Sequence, residues 1–181
     1  ALPQPTAEAV NQIIGLSLGN AVSGLLPVEL RKDISLHQQI EQAYRQSYLL
    51  AEDDVELFPH VRETLEELRD RGYWLGVVTG KSKPGLLRVL ERFNLSDLFY
   101  VLRTADCTHS KPHPAMVLEC MQEMGLGAEQ SCVIGDALFD IQMAKAAGVR
   151  ALGVSFGVAE SEALLQAGAI DVVNDFADLL F

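Results

Sequence analysis

The sequence predicts an α/β fold in which a helical segment precedes a parallel β-sheet covered by helices on both faces. Residues from about 6 to 51 show helical spacing without a convincing strand. From Val55 onward, short apolar runs alternate with helical segments. This alternation is typical of a parallel sheet that binds ligands at the carboxyl ends of its strands. We therefore expect a helical cap domain in residues 1–54 and an α/β core domain in residues 55–181.

The elements of the two domains follow from local patterns. In the helical segment, Ile40, Tyr44 and Tyr48 share one face, which we expect to be core because large aromatic side chains are usually buried. In the core domain, prolines at helix starts, a glycine after a helix end and apolar runs mark the boundaries. The expected order is a helix from His60 to Arg71, a strand to Thr79, a helix from Pro84, a strand near Tyr100, a helix from Pro114, a strand before Gly135, a helix after Asp140 and a strand through Val154.

Composition excludes several classes of protein. The 181 residues are 49% hydrophobic, which is enough for a sizeable core, and their net charge is −11 without a cluster of lysine and arginine. Such a surface argues against a nucleic-acid partner, and no apolar run is long enough to suggest a membrane one. Cys107, Cys120 and Cys132 share no metal-ligand spacing. We expect reduced, buried cysteines and a cytoplasmic location.

The most informative stretch runs from Val133 to Asp140. An apolar strand leads into Gly135, and two carboxylates four residues apart follow, Asp136 and Asp140. Hard cations such as Mg²⁺ prefer a few carboxylate oxygens beside water and phosphate, so the pair suggests a metal site. Either aspartate alone is equally well explained as a helix cap that accepts a backbone N–H.

A second strand end and one loop also carry polar groups. The run from Trp74 to Val78 ends in Thr79, Gly80 and Lys81, where a hydroxyl and close backbone amides suit a phosphoryl group, although a simple turn explains them equally well. Farther along, Pro112 and Pro114 flank His113, and Lys111 precedes them. Taken alone, Lys111 is interpreted as a surface lysine, and Pro114 as a helix start.

Taken in this order, Thr79, Lys111 and the Asp136/Asp140 pair resemble the second, third and fourth motifs of the haloacid dehalogenase (HAD) superfamily. The similarity covers most of the chain, including the segments 58–72, 144–149, 153–157 and 167–171. Here, segment 153–157 resembles the last core strand and its loop, and segment 167–171 a closing turn. The greatest resemblance is to the phosphoglycolate phosphatase and pyrophosphatase-like branch, which has a HAD-like Rossmannoid three-layer fold and a small helical cap.

The resemblance implies a Mg²⁺-dependent phosphatase that acts on a small phosphorylated metabolite. Thr79 and Gly80 would bind the transferred phosphoryl group, and Lys111 would offset the charge of nucleophile and phosphate. Asp136 and Asp140 would hold Mg²⁺, directly or through water. These are the groups that phosphoryl transfer requires, because its catalysis rests on positioning and on cations near the phosphoryl oxygens.

One motif of the superfamily has no counterpart in the sequence. Members carry Asp-x-Asp-Gly-Thr on a first, central strand, where the first aspartate attacks phosphorus and the second acts as acid and base. We expect that strand to be missing between the strand of Thr79 and the strand of Asp136, and the nucleophile to lie outside this chain. The two uncovered strand edges predict a homodimer or another strand-supplying partner, or a sheet that closes with altered pairing.

Two residues differ from the superfamily pattern in smaller ways, and three other functions remain open. His60 stands where the superfamily usually has glycine, which places the turn geometry there in doubt, and Ala137 stands where a hydroxyl is common. Alternatives to the phosphatase are a haloacid dehalogenase, which uses no metal, a sugar-phosphate mutase, which shares these motifs, and a catalytically inactive binding protein.

Overall fold

The structure is a computed structural model, and it describes residues 2–180. Helices and strands alternate after residue 60, as the sequence predicts. The helices are α1 Ala7–Asn11, α2 Leu18–Leu25, α3 Ile34–Ala51, α4 Val61–Asp70, α5 Lys83–Arg92, α6 Ala115–Met124, α7 Leu138–Ala146 and α8 Ser161–Ala167. The strands are β1 Leu75–Thr79, β2 Phe99–Thr104, β3 Cys132–Gly135, β4 Arg150–Val154 and β5 Asp171–Val173. None of the helices described has the length and apolar character to cross a membrane.

The strands form two separate parallel sheets. In the first sheet, β1 pairs with β2, and Thr79 lies opposite Thr104 at the carboxyl end. The second sheet has the order β3-β4-β5, with Gly135 opposite Gly153. Within residues 2–180, no strand joins β1 to β3, so the sheet does not close with altered pairing. The edges of β1 and β3 that would flank a central strand therefore have no ladder partner among the described residues.

Each sheet has its own apolar core. One core packs α6, α7 and α8 on the sheet of β3, β4 and β5, and its fully buried members include Met116, Ile141 and Leu164. The other core lies between α4, α5 and the sheet of β1 and β2, around Leu65 and Leu90. Val78 of β1 touches the first core. The helices thus cover the sheets in the layered way that the sequence predicts.

The helical segment is less buried than its sequence suggests. Side-chain oxygens of Ser17 and Asp33 accept backbone N–H groups at the first turns of α2 and α3, as helix caps commonly do. However, α3 contains no buried residue, and Tyr44 is 54% exposed, so the expectation that the tyrosine face is core is wrong. The reason is that Tyr48 packs against a charged residue, Lys81, rather than against an apolar surface.

Two arginines of α5 hold the segment that links α3 to the core elements. The Arg88 guanidinium donates to both carboxylate oxygens of Glu52, at 3.0 and 3.3 Å. Arg92 donates to the main-chain carbonyl groups of Glu52 and Asp53. A cleft of about 300 Å³ lies between these residues. The link is therefore fixed by paired charges and by hydrogen bonds to its backbone.

Three local expectations need correction. Helix α7 begins at Leu138, before Asp140, because Asp140 accepts a backbone N–H in its first turn. Strand β4 is not the last strand, since β5 follows the 167–171 turn and pairs with it. Cys120 is buried, but Cys107 and Cys132 are exposed, because the side chain of Cys132 lies at the start of the uncovered strand β3.

His60 has a backbone conformation that favours glycine. Its φ is 59°, in the left-handed region. Its imidazole Nδ1 lies 2.8 Å from the carboxylate of Asp175, and this hydrogen bond raises the pKa of His60. The turn at His60 is therefore left-handed, and its side chain has a partner in Asp175.

Candidate active site

Thr79 and Gly80 lie where the uncovered strand β1 ends. The Thr79 hydroxyl accepts a hydrogen bond from the Lys81 N–H at 3.2 Å, which turns the chain after the strand. Thr79 is half-buried, and Thr104 beside it is fully buried. The hydroxyl of Thr79 therefore stands at the carboxyl end of a parallel sheet, the edge at which such sheets bind ligands.

Lys111 is buried, which corrects its interpretation as a surface lysine. It is 7% exposed, and its Nζ donates to Asp140 Oδ1 at 2.6 Å. A buried ammonium group is costly unless a charged partner satisfies it. Asp140 supplies that partner across a separation of 29 residues, so the loop after β2 and the first turn of α7 are joined by one ion pair.

The two aspartates of the acidic pair have different partners. Asp140 uses its second oxygen, Oδ2, to accept the Ala137 N–H at 3.1 Å, and it is 5% exposed. Asp136 is half-buried, and its Oδ2 accepts the Val158 N–H at 3.1 Å. Asp140 therefore plays the helix-capping role that the sequence allowed, whereas Asp136 accepts a backbone N–H from the loop after β4. Within residues 2–180, Asp136 Oδ1 has no hydrogen-bond partner, which leaves one carboxylate oxygen for a ligand.

The backbone of the loop after β4 lies close against the side chain of Asp136. Any side chain at Gly157 would overlap the side-chain atoms of Asp136, so only glycine allows the loop after β4 to lie against this carboxylate. The same loop provides the Val158 N–H. The orientation of Asp136 is thus set by its own strand and by the neighbouring strand's loop.

A loop of the helical segment, residues 15–17, bridges the ends of β1 and β3. A methyl group at Gly80 would overlap the carbonyl oxygen of Leu16, and one at Gly15 would lie 3.3 Å from Ala137 Cβ. The Ser17 N–H donates to Ser110 Oγ at 2.9 Å, next to Lys111. This loop therefore contacts all three segments that carry the candidate residues. No pattern in the sequence predicts this role for the loop, and a glycine and a serine before α2 are the signal that the sequence offers.

The structure thus brings together some of the candidate residues directly and others through this loop. Lys111 and Asp140 share an ion pair. Residues 15–17 lie against Gly80 and against Ala137, the neighbour of Asp136. Within residues 2–180, no hydrogen bond joins Thr79 to Lys111, Asp136 or Asp140. Two clefts, of about 300 and 390 Å³, lie elsewhere on the described part of the chain and are lined by none of these residues.

The donor set fits a magnesium ion held mainly by water and substrate. Within residues 2–180, no three His, Cys, Asp or Glu side chains are grouped so as to hold a metal. Mg²⁺ keeps several waters and takes one or two carboxylates together with substrate phosphate. Asp136, with its unpaired Oδ1, meets that requirement as a direct donor. Asp140 is already engaged by Lys111 and Ala137, which leaves it better suited to an indirect role.

Comparison with known proteins identifies the family. The model of the haloacid dehalogenase-like hydrolase family matches residues 1–154. "Probable phosphatase IndB" of Dickeya dadantii is 32% identical over 99% of this chain and 79% of its own length. The chain therefore belongs to the haloacid dehalogenase-like hydrolases, which are enzymes. The expected resemblance and the α/β fold are confirmed.

Two further similar proteins are described as phosphoglycolate phosphatases. A phosphoglycolate phosphatase of Salmonella paratyphi A is 36% identical over 72% of this chain and 52% of its own length. The chain thus spans about half the length of this relative. A solved structure from Haemophilus somnus, described as a predicted phosphoglycolate phosphatase, matches 99% of this chain and 83% of its own, with 25% identity and a TM-score of 0.81. A hydrolase from Pseudomonas syringae shares the fold, with a TM-score of 0.82 at 24% identity over 97% of this chain and 82% of its own.

Proposed function

We propose that this chain forms part of a Mg²⁺-dependent phosphomonoesterase that acts on a small phosphorylated metabolite. The observation that carries the proposal is the buried Lys111–Asp140 ion pair beside Asp136, whose Oδ1 has no partner among residues 2–180. A cation and a carboxylate next to each other can neutralise a phosphoryl group and hold a metal ion. The similarity to phosphatases supports the same class of reaction.

Each candidate residue has a role that suits its surroundings. Thr79 donates its hydroxyl to a phosphoryl oxygen, and the backbone N–H of Gly80 approaches the same group. Lys111 offsets negative charge on the phosphate and on the attacking carboxylate. Asp136 binds Mg²⁺ directly, and Asp140 acts on it through water while it positions Lys111. When bound, Mg²⁺ supplies positive charge at the phosphoryl oxygens.

The proposed reaction proceeds through an aspartyl-phosphate. A carboxylate oxygen bonds to phosphorus as the bond from phosphorus to the leaving oxygen breaks, and a second acidic group gives that oxygen a proton. Water then gives a proton back to the second acidic group and attacks phosphorus, and the bond from phosphorus to the carboxylate oxygen breaks, which releases inorganic phosphate and regenerates both groups. Both groups are proposed to come from outside these 181 residues, on a strand that pairs with the uncovered edges of β1 and β3. That strand belongs to the same natural protein or to a partner.

The remaining parts of the proposal concern organisation and location. Residues 1–54 act as the cap over the leaving group, and residues 55–181 as the catalytic core. The protein works in the cytoplasm on a small metabolite, without nucleic-acid or membrane partners. The intact denatured mass of the protein made from its natural reading frame tests the source of the nucleophile. A mass above the 19.8 kDa of this chain supports a segment of the same protein, and an equal mass requires a partner chain.

The decisive experiment is a magnesium titration of phosphate release by the protein from its natural reading frame. Asp136→Asn should raise the Mg²⁺ concentration needed for half-maximal activity about tenfold or more, because the direct carboxylate donor is lost. Asp97→Asn is the control, since Asp97 is exposed at the opposite end of its sheet. An unaltered titration in Asp136→Asn would remove Asp136 from the metal site.

Product and binding assays on the same protein separate the other classes of protein. Isomerised sugar phosphate without net phosphate release identifies a mutase. Halide release from a haloacid without Mg²⁺ identifies a dehalogenase. Binding of inorganic phosphate by a protein that turns over none of these compounds identifies a binding protein, and each of these outcomes contradicts the phosphatase proposal.

A further inference from the structure

Lys81 joins the phosphate end of strand β1 to the helical segment. Its Nζ lies 2.5 Å from the Tyr48 hydroxyl and 4.3 Å from the centroid of the Tyr48 ring. The Tyr48 ring also stacks with Tyr44, at 6.2 Å between centroids. Lys81 therefore has a defined position against α3, set by a hydrogen bond and by a cation–π contact.

The charge of Lys81 is not neutralised within the described residues. Seven other basic side chains with a permanent charge form ion pairs, but no carboxylate in residues 2–180 pairs with Lys81. Lysines 32, 83 and 145 also lack ion pairs, but they are exposed, whereas Lys81 is half-buried. In a chain with a net charge of −11, a half-buried cation without an acidic partner is suited to an anion from outside.

Lys81 lies beside Thr79, the proposed phosphoryl-binding residue. The Lys81 N–H donates to Thr79 Oγ1, so the ammonium group and the proposed phosphoryl-binding hydroxyl belong to one turn. Lys111, in contrast, is buried and already paired with Asp140. The Lys81 side chain extends instead toward α3 of the helical segment, where the part of the substrate that is not transferred would lie.

We propose that Lys81, held by Tyr48, is a specificity-determining residue that binds a second oxyanion group, a carboxylate or another phosphate, on the leaving group of the substrate. The ammonium group contributes the charge, and the Tyr48 hydroxyl accepts from Lys81 while its own O–H remains available to donate to the same anion. The inference rests on the proposed phosphatase function and adds to it a class of substrate, small phosphomonoesters with two anionic groups.

Three related compounds test this preference. Hydroxyethyl phosphate has a neutral leaving group, phosphoglycolate carries a carboxylate in its place, and ethylene glycol bisphosphate carries a second phosphate. We expect kcat/KM for phosphoglycolate, for the bisphosphate or for both to exceed that for hydroxyethyl phosphate by about tenfold or more. A tenfold ratio is the lower end of what hydrogen bonds to charged groups contribute. The compound with the larger ratio identifies the oxyanion.

Variants of Lys81 test whether this residue causes the preference for a second anionic group. Lys81→Met should bring the ratio close to one, and Lys81→Arg should restore part of it. Tyr48→Phe should lower the ratio by a smaller factor, because the charge remains while its position is less fixed. Lys83→Met is the matched control: this lysine is exposed two residues farther along and should leave the ratio unaltered.

Two results would overturn the inference in distinguishable ways. If all three compounds release phosphate and Lys81→Met keeps the wild-type ratio, Lys81 does not determine specificity, while the phosphatase function stands. If none of the compounds releases phosphate in the presence of Mg²⁺, the proposed function fails and the inference fails with it.

Discussion

Replacement of Lys111 by methionine tests the ion pair on which the candidate site depends. Methionine is close to lysine in length but has no charge, so the variant leaves the Asp140 carboxylate without its cation. The two side chains are each 8% exposed and lie 2.6 Å apart. Loss of one partner of such a buried pair costs about 3–5 kcal/mol of unfolding free energy. Because Asp140 keeps the Ala137 N–H, we expect a loss of about 3 kcal/mol, near the lower end of that range.

Urea unfolding, followed by circular dichroism, measures this loss. The midpoint should shift to lower urea at an unaltered slope, since the surface exposed on unfolding hardly changes. Lys145→Met is the matched control, because Lys145 is exposed on α7 and makes no ion pair within the described residues. That substitution should alter the unfolding free energy by no more than about 0.5 kcal/mol.

A second substitution shows whether the charges themselves are responsible. Asp140→Asn keeps an oxygen for the Ala137 N–H but removes the negative charge. In the double variant of Lys111→Met and Asp140→Asn no buried charge remains, so its loss should be smaller than the sum of the single losses by about 1.5 kcal/mol or more. A loss below about 1 kcal/mol in Lys111→Met, or strictly additive losses, would refute the reasoning that the pair is buried and mutually neutralised.

Three further predictions concern other parts of the molecule. Gly80→Ala should lower the unfolding free energy by about 1–3 kcal/mol, since its methyl group would overlap a facing main-chain carbonyl; wild-type stability would show that this loop does not pack there. The hydrogen bond to Asp175 raises the pKa of His60, so the stability that it gives is present below about pH 6.5 and lost as the pH rises through the raised pKa. The stability difference from His60→Asn should therefore shrink between about pH 6 and pH 8, and a constant difference would contradict the pairing. Burial raises the pKa of the Cys120 thiol to about 11 and also raises the pKa of the Cys132 thiol, so Cys107→Ala, but neither Cys120→Ala nor Cys132→Ala, should remove the fastest reaction with a thiol reagent; the reverse would show that a thiol with a raised pKa reacts first.

The fold could be predicted to the level of its elements because local patterns encode them. The apolar run before Thr79 is a local signal for a strand, and the proline before α6 is a local signal for a helix start. The strand β5, in contrast, has only three residues, which is too short for a periodic signal. The exposure of Tyr44 was also beyond sequence reasoning, because an aromatic helix face looks the same whether its neighbour is a core or a charged loop.

The candidate site could be predicted only in part. The residue types of Lys111 and Asp136 indicate their chemistry, but burial of Lys111 depends on Asp140, 29 residues farther along the chain. The loop of residues 15–17 is recognisable only once Gly80 is seen to pack against it. Such contacts arise from the way the elements pack together, and periodicity within a single segment carries no information about them.

The separation of the two apolar cores has a consequence for the way the chain unfolds. Within residues 2–180, no hydrogen-bonded ladder passes from β1 to β3, so cooperativity between the cores depends on side-chain packing, such as that of Val78. We expect amide hydrogens to exchange in two groups with distinct opening free energies, one for each sheet. A strand that inserts between β1 and β3 would join the two sheets and merge the two groups into one. Amide exchange rates measured far from these edges would therefore show whether such a strand is present.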